Sequence, residues 1–159
     1  MAMKKPKYNN KKVWFDGIKF DSDDECYYYK YLVKKKAAGL IQNFELQPNY
    51  ELQEKFRNNQ GKVIQPITYS PDFLVYHLDG SIEAVDVKTM GTATQQGELR
   101  KKMFWLRYPE IKLTWITRNL KRARIDGEWI LYEDLKAELA KEAREKKKKK
   151  EKEELEQDA

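Results

Sequence analysis

Two apolar runs with β-strand character, residues 69–77 and 81–88, are separated by the dipeptide Asp79-Gly80. Both runs are rich in the β-branched and aromatic residues that strands favour. Aspartate followed by glycine is among the strongest short-range signals for a hairpin turn. The sequence therefore predicts an antiparallel β-hairpin over residues 67–88, and the rest of the chain must fold around it.

The second run ends in Asp86-Val87-Lys88. Residues two apart on a strand share a face, so Asp86 and Lys88 project together while Val87 points to the other side. A carboxylate and an ammonium group among apolar neighbours are costly to bury unless they have a partner or a task. Asp72, which follows Pro71, joins them only in one of two hairpin registers.

A two-residue turn would pair Asp72 with Val87 and place the two aspartates on opposite faces of the hairpin. A three-residue loop over residues 78–80 would pair Asp72 with Asp86, with Gly80 in the left-handed position of a type I turn plus bulge. We favour the three-residue loop because it brings the charges together.

Two neighbouring aspartates with a lysine beside them form a site for a hard divalent cation. Mg²⁺ is bound by one or two carboxylates together with water and substrate phosphate oxygens. Such a cation activates water and neutralises the charge that develops on a phosphate. Lys88 would orient or deprotonate the attacking water, or stabilise the pentacovalent phosphorus, and the backbone carbonyl of Val87 would add a ligand. These residues predict phosphodiester hydrolysis.

Residues 13–20 predict a short strand or an extended lead-in, and a helix follows it. Ser22 with Glu25 three residues later fits a capping box, and Gly39 marks the end of the helix. From the residues alone, Glu25 is therefore predicted to cap the helix.

The remaining elements are a strand over 41–53 that Pro48 breaks or confines to an edge, a loop over 55–62, a helix over 94–108, a strand over 112–117 and a helix from Tyr132. Leu99, Met103 and Leu106 share one face of the second helix. The order α-β-β-β-α-β-α predicts an α/β domain with a mixed sheet.

Composition narrows the class of protein. The net charge is +6, of which residues 133–159 contribute −1 and residues 1–132 contribute +7, a balance that suits a partner rich in phosphate. The sequence contains no run of about 18 apolar residues, so we expect no membrane span. The basic N-terminus has no apolar segment behind it, so we expect no secretory signal. Cys26 is the only cysteine, so we expect a reducing, cytoplasmic setting.

Pro71-Asp72, a hairpin, Asp86-Val87-Lys88 and a preceding helix with Glu25 together resemble the PD-(D/E)XK nuclease superfamily, whose core has the order α-β-β-β-α-β. More narrowly, the chain resembles small phage-encoded members related to phage endonuclease I and Holliday-junction resolvases. The residues that support this narrower resemblance are the helix entry Phe20-Asp21-Ser22, the segment 45–48 and Lys101-Lys102. The resemblance covers residues 13–118, and its second acid is Asp where Glu is commoner.

The resemblance implies a restriction-endonuclease-like core over residues 13–132, between a flexible basic segment (1–12) and a charged C-terminal helix or tail (133–159). It implies a DNA endonuclease that uses Mg²⁺ or Mn²⁺, with Asp72, Asp86 and Glu25 as metal ligands and Lys88 as the catalytic lysine. For Glu25 this role is an alternative to capping, and the two conflict in part, since a side chain turned back to Ser22 cannot also reach the site. We expect the following residues to contact DNA phosphates: Lys101, Lys102, Lys121, Arg122 and Arg124.

By the same resemblance the substrate is branched DNA, the setting is phage recombination or genome processing in the host cytoplasm, and the enzyme is a homodimer, since two symmetric strands are cut. Three alternatives stay open. One is a basic nucleic-acid-binding domain that retains the fold without turnover. Another is a transposase-type or restriction-type nuclease, and the third is an assembly protein whose charged C-terminal helix recruits a partner.

Overall fold

The structure is a computed structural model and describes residues 11–157. Most of the predicted flexible N-terminal segment, residues 1–10, lies outside the described residues, as do residues 158–159. The helices are α1 (Asp23–Ala37), α2 (Gln95–Arg107) and α3 (Tyr132–Gln157). The strands are β1 (Val13–Phe15), β2 (Ile18–Phe20), β3 (Asn43–Leu46), β4 (Tyr50–Gln53), β5 (Phe56–Arg57), β6 (Val63–Ile64), β7 (Ile67–Tyr69), β8 (Phe73–Tyr76), β9 (Ile82–Val87), β10 (Lys112–Arg118) and β11 (Trp129–Leu131).

A five-stranded sheet forms the centre of the protein, in the order β11-β10-β9-β8-β3. Strands β9 and β10 are parallel and the other neighbours are antiparallel, so the predicted α/β domain with a mixed sheet is confirmed. Pro48 breaks the predicted strand over 41–53 into β3 and β4. The sequence did not predict β11, nor the short hairpin of β5 and β6 around the predicted loop.

The central hairpin has the three-residue loop. Gly80 adopts φ +85°, and the His77 N–H donates to the Ser81 carbonyl at 2.9 Å. The pairing of Phe73 with Val85 continues the same register, which places Asp72 opposite Asp86. The preferred register is confirmed, and both aspartates project from the same face of the sheet.

The predicted start and end of α1 are also confirmed. The Ser22 hydroxyl accepts from the backbone N–H of Glu25 at 3.2 Å, and Gly39 closes the helix at φ +69°. The Glu25 carboxylate differs from the expected capping box, because it accepts from the Asp21 N–H, at 3.2 Å, and not from that of Ser22.

Two apolar clusters cover the two faces of the sheet. On one face α1 contributes Tyr28 and Leu32 to a cluster with odd-numbered strand residues such as Phe73 and Val85. On the other face Phe104 of α2 and Tyr132 of α3 pack with even-numbered residues such as Leu74, Ala84 and with Trp115. Asp72, Asp86 and Lys88 share the parity of the second face, at the end of the strands.

The prediction that Leu99, Met103 and Leu106 form the inward, apolar face of α2 is wrong. Leu99 and Leu106 are 58% and 86% exposed, whereas Lys101 and Phe104 are buried. The helix is oriented by contact with the sheet: Gly97 approaches the Trp115 ring so closely that an added Cβ would lie 3.4 Å from it. Helical periodicity predicted that the face with Leu99 and Leu106 would be buried. The close approach at Gly97 instead turns the face with Lys101 and Phe104 towards the sheet.

The described part of the charged C-terminal segment, up to residue 157, is one continuous helix. Tyr132 and Leu135 anchor its first turns in the core, and the described residues 143–157 are all exposed. Lysine–glutamate pairs four residues apart lie at 3.6–3.9 Å, with lysine first, which is the less favourable orientation relative to the helix dipole. No helix among the described residues is long and apolar enough to cross a membrane.

We expect a chain that ends at Glu142 to unfold at the same temperature as the full chain, because the removed helical residues contact only solvent and each other. In a matched experiment, Leu135→Ala should lower the free energy of unfolding by roughly 2–5 kcal/mol, since it leaves a cavity at the anchor. Thermal denaturation measures both. A marked drop in melting temperature on truncation would show that the exposed helix has a partner, such as a second copy of the chain.

Candidate active site

The four residues predicted to be catalytic line one cavity. Its volume is about 130 Å³, and its walls include Glu25, Asp72, Asp86, Lys88 and Val87. Glu25 comes from the first turn of α1, Asp72 from the residue before β8, and the others from the end of β9. The cavity therefore lies where α1 begins and where the hairpin strands approach β10.

Asp86 is only 4% exposed, and its oxygen Oδ2 has two strong partners. The Tyr69 hydroxyl donates to this oxygen at 2.6 Å, and Lys88 Nζ lies 2.9 Å from it. The Tyr69 hydroxyl in turn accepts from Trp115 Nε1 at 3.2 Å. This chain of donors fixes the Asp86 carboxylate and leaves its Oδ1 without a backbone, hydroxyl or lysine donor among the described residues.

Sequence reasoning did not single out Tyr69 or Trp115. Tyr69 belongs to β7, which pairs with β4 outside the central sheet, so strand alternation could not place it beside Asp86. Trp115 pairs with Asp86 across the parallel strands β9 and β10, a contact between residues far apart in sequence. The available signal was compositional only: aromatic residues in strands flanking the acidic pair.

Lys101, which was predicted to contact DNA, is enclosed by other parts of the fold. Its side chain is buried, and its ammonium lies 2.9 Å from Glu133 and 3.1 Å from Glu98 and 3.9 Å from the centre of the Trp115 ring. Burial lowers the pKa of Lys101, but the two carboxylates outweigh it, so that the pKa is raised above its ordinary value. The Lys101 ammonium lies over the face of the Trp115 indole. This cation–π contact is stronger where water is excluded.

Pro71 leaves one backbone group near Asp72, the carbonyl of Val87, without a donor across the hairpin. His77 and Ser81 form a hydrogen-bonded pair, and in this register every second pair along the hairpin, up to Pro71 opposite Val87, is of the same type. Proline has no N–H, so it cannot donate to the Val87 carbonyl. The Val87 N–H donates instead to Asp72 Oδ2 at 2.8 Å, and the carbonyl is left as a possible metal ligand.

The two aspartates are close enough to affect each other's ionisation. Burial, and then the adjacent Asp86 carboxylate, raise the pKa of Asp72 well above its usual range, although the Val87 N–H partly opposes them. Two carboxylates that share a partly buried site cannot both ionise without cost. A cation between them would relieve that cost.

Glu25 lies at the edge of the pair. Burial raises the pKa of its carboxyl, the Asp21 N–H lowers it, and the negative charge of Asp86 raises it further. The hydrogen bond to Asp21 uses Oε2, so capping occupies one carboxylate oxygen while the residue still lines the cavity. The two roles that the sequence set against each other are therefore compatible in this geometry.

Four further residues were predicted to contact DNA. Lys102 and Lys121 are exposed and make no ion pair with the described residues. Arg122 and Arg124 instead pair with acids of α3: Arg122 lies 2.8 Å from Glu142, and Arg124 contacts Glu138. The basic loop is thus tied to the C-terminal helix, and its two arginines are partly neutralised.

The donor set fits Mg²⁺ or Mn²⁺ in part. Within residues 11–157, no group of three or more His, Cys, Asp and Glu side chains forms a self-contained metal site. Two aspartates and a carbonyl suit the way Mg²⁺ is commonly held, by one or two carboxylates with water and phosphate oxygens completing the shell. Asp72, Asp86 and the Val87 carbonyl are the atoms that would hold such an ion.

One comparison with known proteins found a match. A family model described as "Protein of unknown function (DUF1064)" matches residues 5–124, which include the hairpin, α2 and all four predicted catalytic residues. No curated protein and no solved structure matches the chain.

We expect Asp72→Asn to stabilise the metal-free protein at neutral pH. The folded-state pKa of Asp72 is raised above 3.8, so the native state holds this proton more tightly than the unfolded state, and stability falls as pH rises through the window above 3.8. Asparagine removes that loss, at about 1.4 kcal/mol for each unit of pKa shift. Chemical denaturation in EDTA from acidic to neutral pH measures the gain, which should vanish at acidic pH.

Added Mg²⁺ should stabilise the natural chain at neutral pH more than it stabilises Asp72→Asn. If the variant is destabilised at every pH in EDTA, the Asp72 charge is already compensated within the protein and the electrostatic argument is wrong.

Proposed function

The chain belongs to the DUF1064 family, a family of unknown function, and we propose that it is a metal-dependent DNA endonuclease of the PD-(D/E)XK type. The observation that carries the proposal is the pairing of Asp72 with Asp86 at one cavity, with the Lys88 ammonium 2.9 Å from Asp86. A hairpin that only stabilised a sheet would gain nothing from a buried carboxylate, Asp86, beside a partly buried one, Asp72, because such groups cost free energy unless they bind a ligand.

The order of elements around this site agrees with the proposal. α1, the antiparallel strands β3, β8 and β9, helix α2 and the parallel strand β10 occur in this order along the chain, with the short strands β4 to β7 inserted between β3 and β8. Without that insertion the order is the α-β-β-β-α-β order expected of a restriction-endonuclease-like core, and this supports the proposal. One acid then precedes β8, and the acid-x-lysine segment lies at the end of β9.

The chemistry is the hydrolysis of a phosphodiester. A water oxygen forms a new bond to phosphorus, one bridging P–O bond breaks, and the leaving oxygen takes up a proton. When bound, Mg²⁺ or Mn²⁺ supplies Lewis-acid stabilisation of the negative charge on the phosphate. Asp72, Asp86 and the Val87 carbonyl would hold the ion, and Glu25, whose Oε2 accepts from the Asp21 N–H, would contribute its other carboxylate oxygen.

Lys88 can be assigned one of the roles that the sequence left open. Its amine is ion-paired with Asp86, and an ammonium donates hydrogen bonds but has no lone pair with which to take a proton from water. Lys88 therefore orients the water or phosphate and stabilises the charge of the pentacovalent phosphorus. The adjacent Trp115 ring, 5.2 Å from Nζ, limits where this side chain can move.

DNA is the proposed substrate because residues 1–132 carry +7, which attracts a polyanion. Branched DNA, a homodimer, and a role in phage recombination or genome processing remain parts of the proposal. A four-way junction and a linear duplex of matched sequence, each with Mg²⁺, Mn²⁺ or EDTA, separate a junction-selective enzyme from a general nuclease.

We expect Asp86→Asn to lower the rate of cleavage on the order of a thousandfold or more, as for residues that act as one catalytic unit. Its removal of charge leaves the fold intact, so the melting temperature should not fall. Single-turnover cleavage of the labelled junction measures the rate. Asp134→Asn, the same chemical change at an exposed position of α3, is the matched control and should cleave normally.

Equal cleavage of junction and duplex would retain the nuclease and exclude the junction preference. Binding that persists in EDTA and in Asp86→Asn, without cleavage under any metal, would favour the binding-only alternative. If neither DNA is bound or cut, and only removal of α3 has an effect, the assembly alternative is favoured.

Tyr69→Phe should lower the cleavage rate roughly 10- to 100-fold, the range found for groups that orient metal ligands. The change removes the hydroxyl that donates to Asp86 at 2.6 Å, so this hydroxyl no longer fixes the orientation of the carboxylate. The Mg²⁺ concentration for half-maximal rate should rise. A loss of rate with an unchanged dependence on Mg²⁺ concentration would assign Tyr69 a purely structural role.

A further inference from the structure

The hairpin of β1 and β2 presents a tryptophan to solvent. Trp14 is 67% exposed, and its cross-strand partner Lys19 holds Nζ 5.8 Å from the centre of the indole ring. The opposite face of the hairpin is apolar and packs on α1, where Phe15 and Phe20 contact the Tyr29 ring at 6.2 and 5.2 Å between centroids. The fold therefore buries one side of the hairpin and leaves an aromatic ring and a lysine on the other.

This outer face, defined by Trp14 and Lys19, adjoins the candidate active site. Lys19 lines a cavity of about 60 Å³ together with Glu25 and Asp72, and those two carboxylates also line the catalytic cavity. A strand bound with one phosphate at the aspartates would have its neighbouring nucleotide near the hairpin.

The charge of the hairpin suits the same ligand. Lys11, Lys12 and Lys19 stand against a single acid, Asp16, whose carboxylate accepts from the Tyr29 hydroxyl at 3.5 Å. An exposed aromatic ring beside lysines is the combination by which proteins hold unpaired nucleotides, because every base has a ring face to stack and each nucleotide carries a phosphate. A peptide or lipid partner would explain the exposed ring, but not the position of Lys19, from the same face, on the cavity that Glu25 and Asp72 line.

We propose that Trp14 stacks on an unpaired nucleobase next to the phosphate that the site cleaves, while Lys19 binds the phosphate of that nucleotide. This inference rests on the proposed function and specifies its substrate class. Bases within a continuous duplex are stacked on both sides, so the ring of Trp14 is accessible only to a base at a branch point, a flap or a single-stranded segment. The structure thus gives a physical reason for preferring such DNA to an intact duplex.

The test measures binding without metal, so that it does not depend on turnover. The full-length chain in EDTA is titrated with a short single-stranded oligonucleotide and with a blunt duplex of the same length. We expect Trp14→Ala to weaken binding of the single strand roughly 5- to 150-fold, with little change for the duplex. Trp14→Phe retains a smaller ring and should be intermediate, and Lys19→Gln should reduce the salt dependence by about one phosphate contact.

Tryptophan fluorescence gives a second readout. Of the four tryptophans, Trp115 and Trp129 are 1% and 0% exposed, so in a Trp105→Phe background Trp14 is the only exposed one. We expect the single strand to quench this signal, and we expect the added Trp14→Phe change to abolish the quenching. Because most of the Trp14 side chain contacts solvent, these variants should keep the melting temperature of the natural chain.

Equal affinity of Trp14→Ala and the natural chain for the single strand would overturn the inference, as would equal losses on strand and duplex or the absence of quenching. A change in oligomeric state in Trp14→Ala, without any change in DNA binding, would assign the face to a second copy of the chain and would overturn it too. If Trp14-dependent binding is found but no metal supports cleavage, the proposed function fails and the stacking site stands.

Discussion

The register of one hairpin determines whether Asp72 and Asp86 can share a site. Asp72 and Asp86 face each other only because the loop after His77 has three residues, with Gly80 at φ +85°. Shifting the strands by one residue would move every side chain to the other face of the sheet. Since Phe73 and Val85 are fully buried against α1, such a shift would expose the core, and the packing of the whole sheet therefore protects the geometry of the site.

That geometry requires charges to be buried next to one another, and the surrounding aromatic residues make this possible. The Trp115 ring has Lys101 at 3.9 Å and Lys88 at 5.2 Å from its centre, while its N–H is linked through Tyr69 to Asp86. One indole thus connects both lysines with the acidic pair. The single charge of Lys101 is compensated by Glu98 of α2 and Glu133 of α3. These ion pairs connect both helices to the wall of the site.

Local chemistry made much of the fold predictable. The capping residue Ser22, the stop at Gly39 and the three-residue hairpin loop depend on residues a few positions apart, and all three are found. Residues two apart on any strand share a face, so the placement of Asp86 and Lys88 on one side also needed only local information. The proximity of Asp72, Asp86 and Lys88 at one cavity followed from these local rules once the register was chosen, whereas the place of Glu25 beside them followed only from the resemblance to the PD-(D/E)XK superfamily.

The features that sequence reasoning missed depend on contacts between distant segments. Lys101 was predicted to be exposed because lysines on helices usually are, but Glu133 lies 32 positions away and becomes its partner only when α3 packs beside α2. Leu99 and Leu106 formed the apolar stripe, yet the close approach at Gly97 turned the other face inward. Tyr69 was overlooked because its partner Asp86 belongs to a strand of a different sheet.

The charge balance of the cavity differs from that of the domain around it. Its walls include four carboxylates, Asp24, Glu25, Asp72 and Asp86, and one lysine, Lys88, whereas residues 1–132 carry +7. The first turn of α1 also lies here, but Asp23, Asp24 and Glu25 already offset the positive end of its dipole. A phosphate approaching these acids would be repelled unless a cation entered first or with it. Under the proposed function, divalent metal and DNA backbone should therefore bind the cavity with positive coupling, and the basic surface, including Lys19 at the edge of the site, would supply the affinity that does not depend on metal.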